Sequence, residues 1–172
     1  MSETIGFPPI AGPGARVLVL GSLPSVKSVE KLEYYGHPQN AFWKVMGELF
    51  GAGLKLPYAE RVDILIDNGI AVWDVLAASV RPGSLDAAID ETTARPNDFS
   101  QFLRERPDIE LVCFNGKTAA RLFERLVAPA LENGSNVPEY QTLPSTSPAY
   151  ASITFTEKLE RWRVVQTAAD NK

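Results

Sequence analysis

The sequence predicts an α/β protein, a three-layer α/β/α sandwich around a central four-stranded, mainly parallel sheet. Short apolar runs stand apart along the chain, at Arg16 to Gly21, Ile70 to Val75, Glu110 to Asn115 and Tyr140 to Leu143. Each gives way to Gly, Asp, Ser or Asn-Gly turn chemistry, the mark of a strand that ends abruptly. Between them, apolar residues recur at helical spacing. Strands alternating with such helices require right-handed crossovers, which cover a parallel sheet on both faces.

Taken in order, the head from Met1 to Gly14 carries three prolines and three glycines and reads as an extended arm laid across the domain. After the first strand, in GSLPSVKS, Pro24 turns the chain and Ser25 can cap a helix entering at Val26. Phe42, Val45, Met46, Leu49 and Phe50 mark a helix from Ala41 to Phe50, with Asn40 at its N-cap. Tyr58, Val62, Leu65 and Ile66 mark the next, followed by Phe99, Phe102 and Leu103, and then by Ala119, Leu122, Phe123 and Leu126. A final helix is expected from about Thr156 to Thr167. Pro82-Gly83 and Glu132-Asn133-Gly134 read as loops, and Val80 to Asn97 shows no clear period.

A chain of 172 residues, 45 % hydrophobic, supports one core, so a single domain over 1–172 is expected. No run of eighteen apolar residues occurs, and MSETIGFPP lacks a basic n-region and an apolar h-region, which implies a cytoplasmic protein with no membrane partner. One histidine and one cysteine cannot supply a zinc set, so no metal is expected, and Cys113 lies in an apolar strand rather than an activated thiol site. A net charge of −4 and a pI near 5.1 exclude a protein that coats nucleic acid by bulk attraction. A local basic lip from Lys27, Lys31, Lys44, Lys55, Lys117 and Arg121 stays compatible with that balance.

The segment richest in chemistry is YYGHPQNAFWKVM, Tyr34 to Met46, which joins paired aromatics, the single histidine and Asn40. It suits a pocket for a flat polar ring, placed where an open parallel sheet puts its ligand crevice. At the preceding turn, free helix-start amides with Ser22, Ser25 and Lys27 can receive a phosphate, and a plain capped helix reads the same way. LPSTSPAYAS, Leu143 to Ser152, is a second strand end running into hydroxyls, with Ser145, Ser147 and Tyr150 available to DNA through phosphate contacts. Asn115 closes the third strand, where its carboxamide can present a donor and an acceptor to a deaminated base such as hypoxanthine or uracil; Asn115-Gly116 is also ordinary turn chemistry. His37 can lie near a base or phosphate, or can bond backbone and shape the turn. Phe42, Trp43 and Phe50 read as core, and Asp74 either faces the crevice or caps a turn.

With these motifs in order, the chain resembles the uracil-DNA glycosylase superfamily and, within it, the hypoxanthine-DNA (deoxyinosine) glycosylase branch. The resemblance rests on GSLPSVKSVEKLEYYGHPQNAFWKVM, FNGKTA and LPSTSPA, and covers most of the chain. Mismatch-specific uracil glycosylases share the core formed here by His37, Pro38, Asn40, Phe42, Trp43, Lys44 and Val45. The resemblance implies a cofactor-free repair enzyme that flips a deaminated nucleotide out of double-stranded DNA, hydrolyses its N-glycosidic bond and leaves an abasic site; an enzyme that presents one face to DNA is expected to be a monomer. It further implies that Tyr35 stacks on the flipped base, Asn115 reads its edge, Leu143 to Tyr150 probe the duplex and Asn40 is catalytic. Two positions depart from the superfamily pattern: Leu23 stands where an Asp or Asn orients water, and Leu143 where the third motif begins with His or Asn. Alternatives therefore remain: a uracil or mismatch-specific glycosylase, a non-catalytic DNA or nucleotide-binding module, or a small-molecule hydrolase using Ser22, His37 and Asp74.

Overall fold

The computed structural model describes residues 2–131 and 137–170, so the Glu132-Asn133-Gly134 expectation lies outside the described residues. Its strands are β1 (Glu3–Ile5), β2 (Val17–Gly21), β3 (Ile70–Asp74), β4 (Leu76–Val80), β5 (Asp90–Pro96), β6 (Leu111–Asn115) and β7 (Glu139–Leu143). The four expected strands pair in parallel in the order β3-β2-β6-β7. Every residue of β2, β3 and β6 is buried. Since neighbouring residues of a strand point to opposite faces, the sheet must be covered on both. The fold is the predicted three-layer α/β class.

The covering helices are α1 (Val26–Lys31), α2 (Phe42–Phe50), α3 (Tyr58–Asp67), α4 (Phe99–Glu105), α5 (Lys117–Leu126), α6 (Ala128–Leu131) and α7 (Phe155–Asp170). α1 follows the expected Ser25 cap, and α3, α4, α5 and α7 lie close to where the apolar spacing places them; α2 starts one residue later than expected, at Phe42 with Ala41 rather than Asn40 at its N-cap, and α6 had no counterpart in the sequence. Among the described residues, no helix is long and apolar enough to cross a membrane.

A second sheet, antiparallel and ordered β1-β4-β5, has no counterpart in the sequence reading. The head supplies β1 and then continues along β3, where Ile10 and Val72 exchange backbone hydrogen bonds of 2.8 Å in each direction. It is an arm across the domain, tied down as sheet. The stretch Val80 to Asn97 holds a short 3₁₀ turn, Asp86–Ala88, and then β5. Two register irregularities break the pairing of β4 with β5, and β5 is polar, so neither strand propensity nor alternation marked it.

Parallel register positions the site. Gly21 lies opposite Asp74, and Asn115 opposite Leu143, so the carboxyl ends of all four strands finish on one edge. Phe42 and Trp43 are fully buried, as expected, while Phe50 packs partly buried at the core's margin. Cys113 is in the core, its thiol pushed up to about 12 by burial. Trp162 of α7, also fully buried, meets Phe42 edge-on and donates from Nε1 to the Pro144 carbonyl at 2.9 Å. It thereby fastens the last helix to the loop after β7. Trp162→Ala is expected to lower unfolding free energy by about 3–5 kcal/mol, measured by urea denaturation; a loss below about 1 kcal/mol would show that the loop and core do not depend on this anchor.

Candidate functional site: a cavity at the carboxyl edge of the sheet

A cavity of about 490 Å³ opens where the four parallel strands end. Its size is that of a small-molecule site, and Tyr35, Asn40 and Asn115 all line it. Ser22, Ser25, Ser145, Ser147 and Tyr150 line it too, together with Leu23 and Leu143. His37 and Lys27 do not. His37 instead accepts the Gln39 amide on Nδ1 at 3.1 Å, which shapes the turn, and Lys27 pairs with Glu30 at 3.4 Å on the exposed face of α1. Of the cations expected to form a lip, Lys117 alone lines the cavity; Arg161 of α7, unremarked in the sequence, joins it.

The turn after β2 is internally bonded. Ser25 caps α1 by accepting from the Ser28 amide, Ser22 donates to Asp86 at 2.6 Å, and the Val26 amide donates to Ser84 at 2.9 Å. These contacts occupy several of the groups on which a phosphate at this turn would depend.

Tyr35 adopts φ 54°, a left-handed conformation that carries strain for a residue with a bulky side chain. Its neighbours hold it there. The Tyr34 amide donates to the Tyr58 hydroxyl, the Gly36 amide to Ser28 Oγ, and the Trp43 indole to the Tyr34 carbonyl. The Tyr35 ring stacks on Phe42, with centroids 4.1 Å apart and planes at 23°. One face is thereby covered.

The two carboxamides sit at the ends of a single clamp. Asn115 Nδ2 donates to Thr146 Oγ1 at 2.8 Å and its Oδ1 accepts the Thr146 amide at 2.9 Å, while the Thr146 carbonyl accepts the Ala41 amide at 2.9 Å. Asn40 Oδ1 accepts the Phe42 amide at 2.9 Å, one position inside the start of α2. Among the described residues, Asn40 makes no other side-chain hydrogen bond. One lone pair and both amide hydrogens therefore stay available. Gly116, at φ +98°, lets the chain pass Ser145, whose Cβ would stand 3.1 Å from any side chain added there.

Asp74 and Asp86 also line the cavity. Asp74 is 3 % exposed and its Oδ2 has no hydrogen-bond partner; the buried Tyr35 hydroxyl has none either. Arg81, itself buried, donates to the carbonyls of Leu23, Pro24 and Gly83 and so braces the turn after β2 against the Asp86 segment. Burial pushes the Asp74 carboxyl up to about 7, opposed by Arg81 and reinforced by Asp86. Burial and then Asp74 push the Tyr35 phenol up; Asn115 lies near enough to ease this, though no hydrogen bond closes between them. The Tyr35 hydroxyl thus remains a donor. Asp74 was legible as a strand-end carboxylate that either faces the crevice or caps a turn; its isolation was not, because that depends on which groups surround it. Asp86, Arg81 and Arg161 gave no sequence signal.

The raised Asp74 pKa has a stability consequence. Folded protein holds this proton up to about pH 7, whereas the unfolded chain loses it near the ordinary carboxylate value of 3.8, so stability falls as pH rises between the two. Asp74→Asn does not titrate. Its melting temperature relative to the parent should therefore rise progressively from pH 4 to pH 8; an offset that stays constant across that range would refute a buried, raised carboxyl.

Comparison with known proteins agrees with the geometry. Residues 8–167 match the model of the uracil DNA glycosylase superfamily. A "Hypoxanthine DNA glycosylase" of Methanosarcina acetivorans is 35 % identical over 161 residues, 93 % of this chain and 96 % of the relative. A protein of the same description from Methanosarcina barkeri is 41 % identical over 113 residues, 65 % of this chain and 70 % of that one. The solution NMR structure of an M. acetivorans protein, assigned provisionally as a uracil DNA glycosylase, superposes with a TM-score of 0.81 at 33 % identity, covering 99 % of this chain and 100 % of the other. On this sequence, fold and cavity, the chain belongs to the uracil DNA glycosylase superfamily.

Proposed function

We propose that this protein is a monofunctional DNA glycosylase that hydrolyses the N-glycosidic bond of a flipped deoxyinosine in double-stranded DNA, releasing hypoxanthine and leaving an abasic site. The observation that carries the reading is the convergence of Tyr35, Asn40 and Asn115 on one base-sized cavity at the carboxyl edge of the sheet. The two relatives described as hypoxanthine DNA glycosylases support the same substrate. We expect it to act as a monomer on one face of the duplex.

In this reaction the C1′–N9 bond of deoxyinosine breaks, the sugar passes through an oxocarbenium-like state, and water adds hydroxyl to C1′ while the base takes up a proton. Positioning and preorganised dipoles supply such catalysis without covalent chemistry. Asn40 is the residue we assign to the water. Its carboxamide does not titrate near neutrality, but the hydrogen bond to the Phe42 amide fixes its plane, so the free lone pair can aim a nucleophile. The face of Tyr35 turned away from Phe42 would stack on the extruded base, worth roughly 1–3 kcal/mol, against an unstacking cost of a few kcal/mol. Asn115 acts on the base through the loop that it clamps at Thr146.

Leu23 and Leu143 are both buried in the cavity wall, 7 % and 3 % exposed. Neither can orient water, which favours Asn40 as the catalytic carboxamide and hypoxanthine over ordinary uracil excision. Phosphate contacts fall to Ser145, Ser147, Lys117 and Arg161 around the mouth, with Tyr150 on the loop that probes the duplex; Ser22 and Ser25 line the wall nearby. Lys27, paired on an outer face, and His37, turned to its own backbone, would contribute little.

Duplexes carrying one hypoxanthine, uracil or xanthine, followed by alkaline cleavage at abasic sites, test the assignment. Deoxyinosine should be cut fastest; duplex binding without scission at any of them would favour a non-catalytic module. Asn40→Ala should lose about a hundredfold or more in deoxyinosine excision, as single oxyanion-site donors do, with an unchanged circular dichroism spectrum; near-normal turnover would remove Asn40 from the mechanism. Lys117→Ala and Arg161→Ala should each lower the slope of log affinity against log salt by about one, and unchanged slopes would move the phosphate contacts elsewhere.

A further inference from the structure

Asp74 Oδ2 and Tyr35 Oη are buried polar atoms on the cavity lining without a protein partner. They converge because residue 21 has no side chain: a Cβ on Gly21 would stand 2.7 Å from Asp74 Oδ1 and 2.9 Å from Tyr35 Oη. Buried polar atoms are seldom left unsatisfied, and these two belong to different elements, β3 and the turn before α2, brought together only at this spot. Asn115, the residue expected to read the base, differs from them: both its oxygen and its nitrogen already bond Thr146.

The two groups are chemically unlike. Tyr35 brings the face of a ring, and Asp74 brings an acceptor. The lactam edge of hypoxanthine offers the complement to Asp74, an N1–H beside the carbonyl at position 6. We propose that Asp74, rather than Asn115, reads that edge, with Asp74 Oδ2 accepting from N1–H while the Tyr35 ring lies against the face of the base. With its sugar held in the same place, adenine would turn a bare N1 lone pair toward the ionised Asp74 carboxylate, and so would be refused. The charged and titratable groups that also act on this pair are Arg81, Asp86 and Tyr34. The assignment rests on the deoxyinosine reading above and names its specificity determinant.

The test compares deoxyinosine with the deoxyriboside of unsubstituted purine, which lacks both O6 and N1–H. Asp74→Leu should lower kcat/KM for deoxyinosine by about tenfold to a hundredfold, the range expected for one buried hydrogen bond to a charged group, while leaving purine excision unchanged. Asp74→Asn, which keeps an acceptor oxygen, should restore most of the deoxyinosine activity. An equal fall on both substrates, or no fall on deoxyinosine, overturns the proposal. Calorimetry on the unmodified protein checks it without turnover: free hypoxanthine should bind at least tenfold more tightly than 1-methylhypoxanthine, and equal binding, or binding of neither, counts against it. Selective binding of hypoxanthine without release from a duplex would sink the enzymatic reading and leave the Asp74 assignment standing.

Discussion

Thr146 is the point on which the site depends. Its hydroxyl and amide engage the Asn115 carboxamide at the end of β6, and its carbonyl receives the Ala41 amide at the start of α2. Three segments distant in sequence are thus joined through one residue that is 1 % exposed. Backbone and side-chain groups at that depth must be paired, so the clamp satisfies the loop after β7 and fixes the positions of Asn40 and Asn115 together. Trp162, donating to Pro144, and Lys158, donating to the Tyr150 carbonyl, hold the same loop from α7.

Around that clamp the molecule carries several features that oppose its own stability. Tyr35 occupies a left-handed backbone conformation, and Asp74 is buried with an unpaired oxygen. Strain of the first kind costs about 1–3 kcal/mol, and an unsatisfied buried polar atom a similar amount. Such costs cluster where a protein binds something. Here both lie on one cavity, which is why they carry functional meaning that neither would have alone.

The aliphatic substitutions at Leu23 and Leu143 fit the same picture. They close the wall of the cavity with apolar surface where superfamily resemblance leads one to expect polar catalytic groups. Polar chemistry is still present, displaced to Asn40 on the facing turn and to Asp74 at the end of the neighbouring strand. The N1–H of hypoxanthine needs an acceptor, and Asp74, a cavity-lining residue, has a buried oxygen without a protein partner.

The sequence by itself determined the α/β class, the four parallel strands, the helices other than α6 and the three segments that line the cavity, because apolar periodicity and turn chemistry are local signals. It did not reveal β5 or the antiparallel sheet. Asp90 to Pro96 is polar and irregularly paired, and its strand conformation comes from β4 beside it. Residue identity also left the roles of individual side chains open. Asn115 had the right chemistry for a reader, yet its amide atoms are engaged by Thr146, thirty-one positions away. His37 and Lys27 had suitable chemistry as well, but their local partners hold them off the cavity. Asp74 could equally face the crevice or cap a turn, and only tertiary packing could leave it buried, unpaired and beside Tyr35. Which polar atoms are satisfied depends on partners far apart in the chain, and that is settled by the fold rather than by the order of residues.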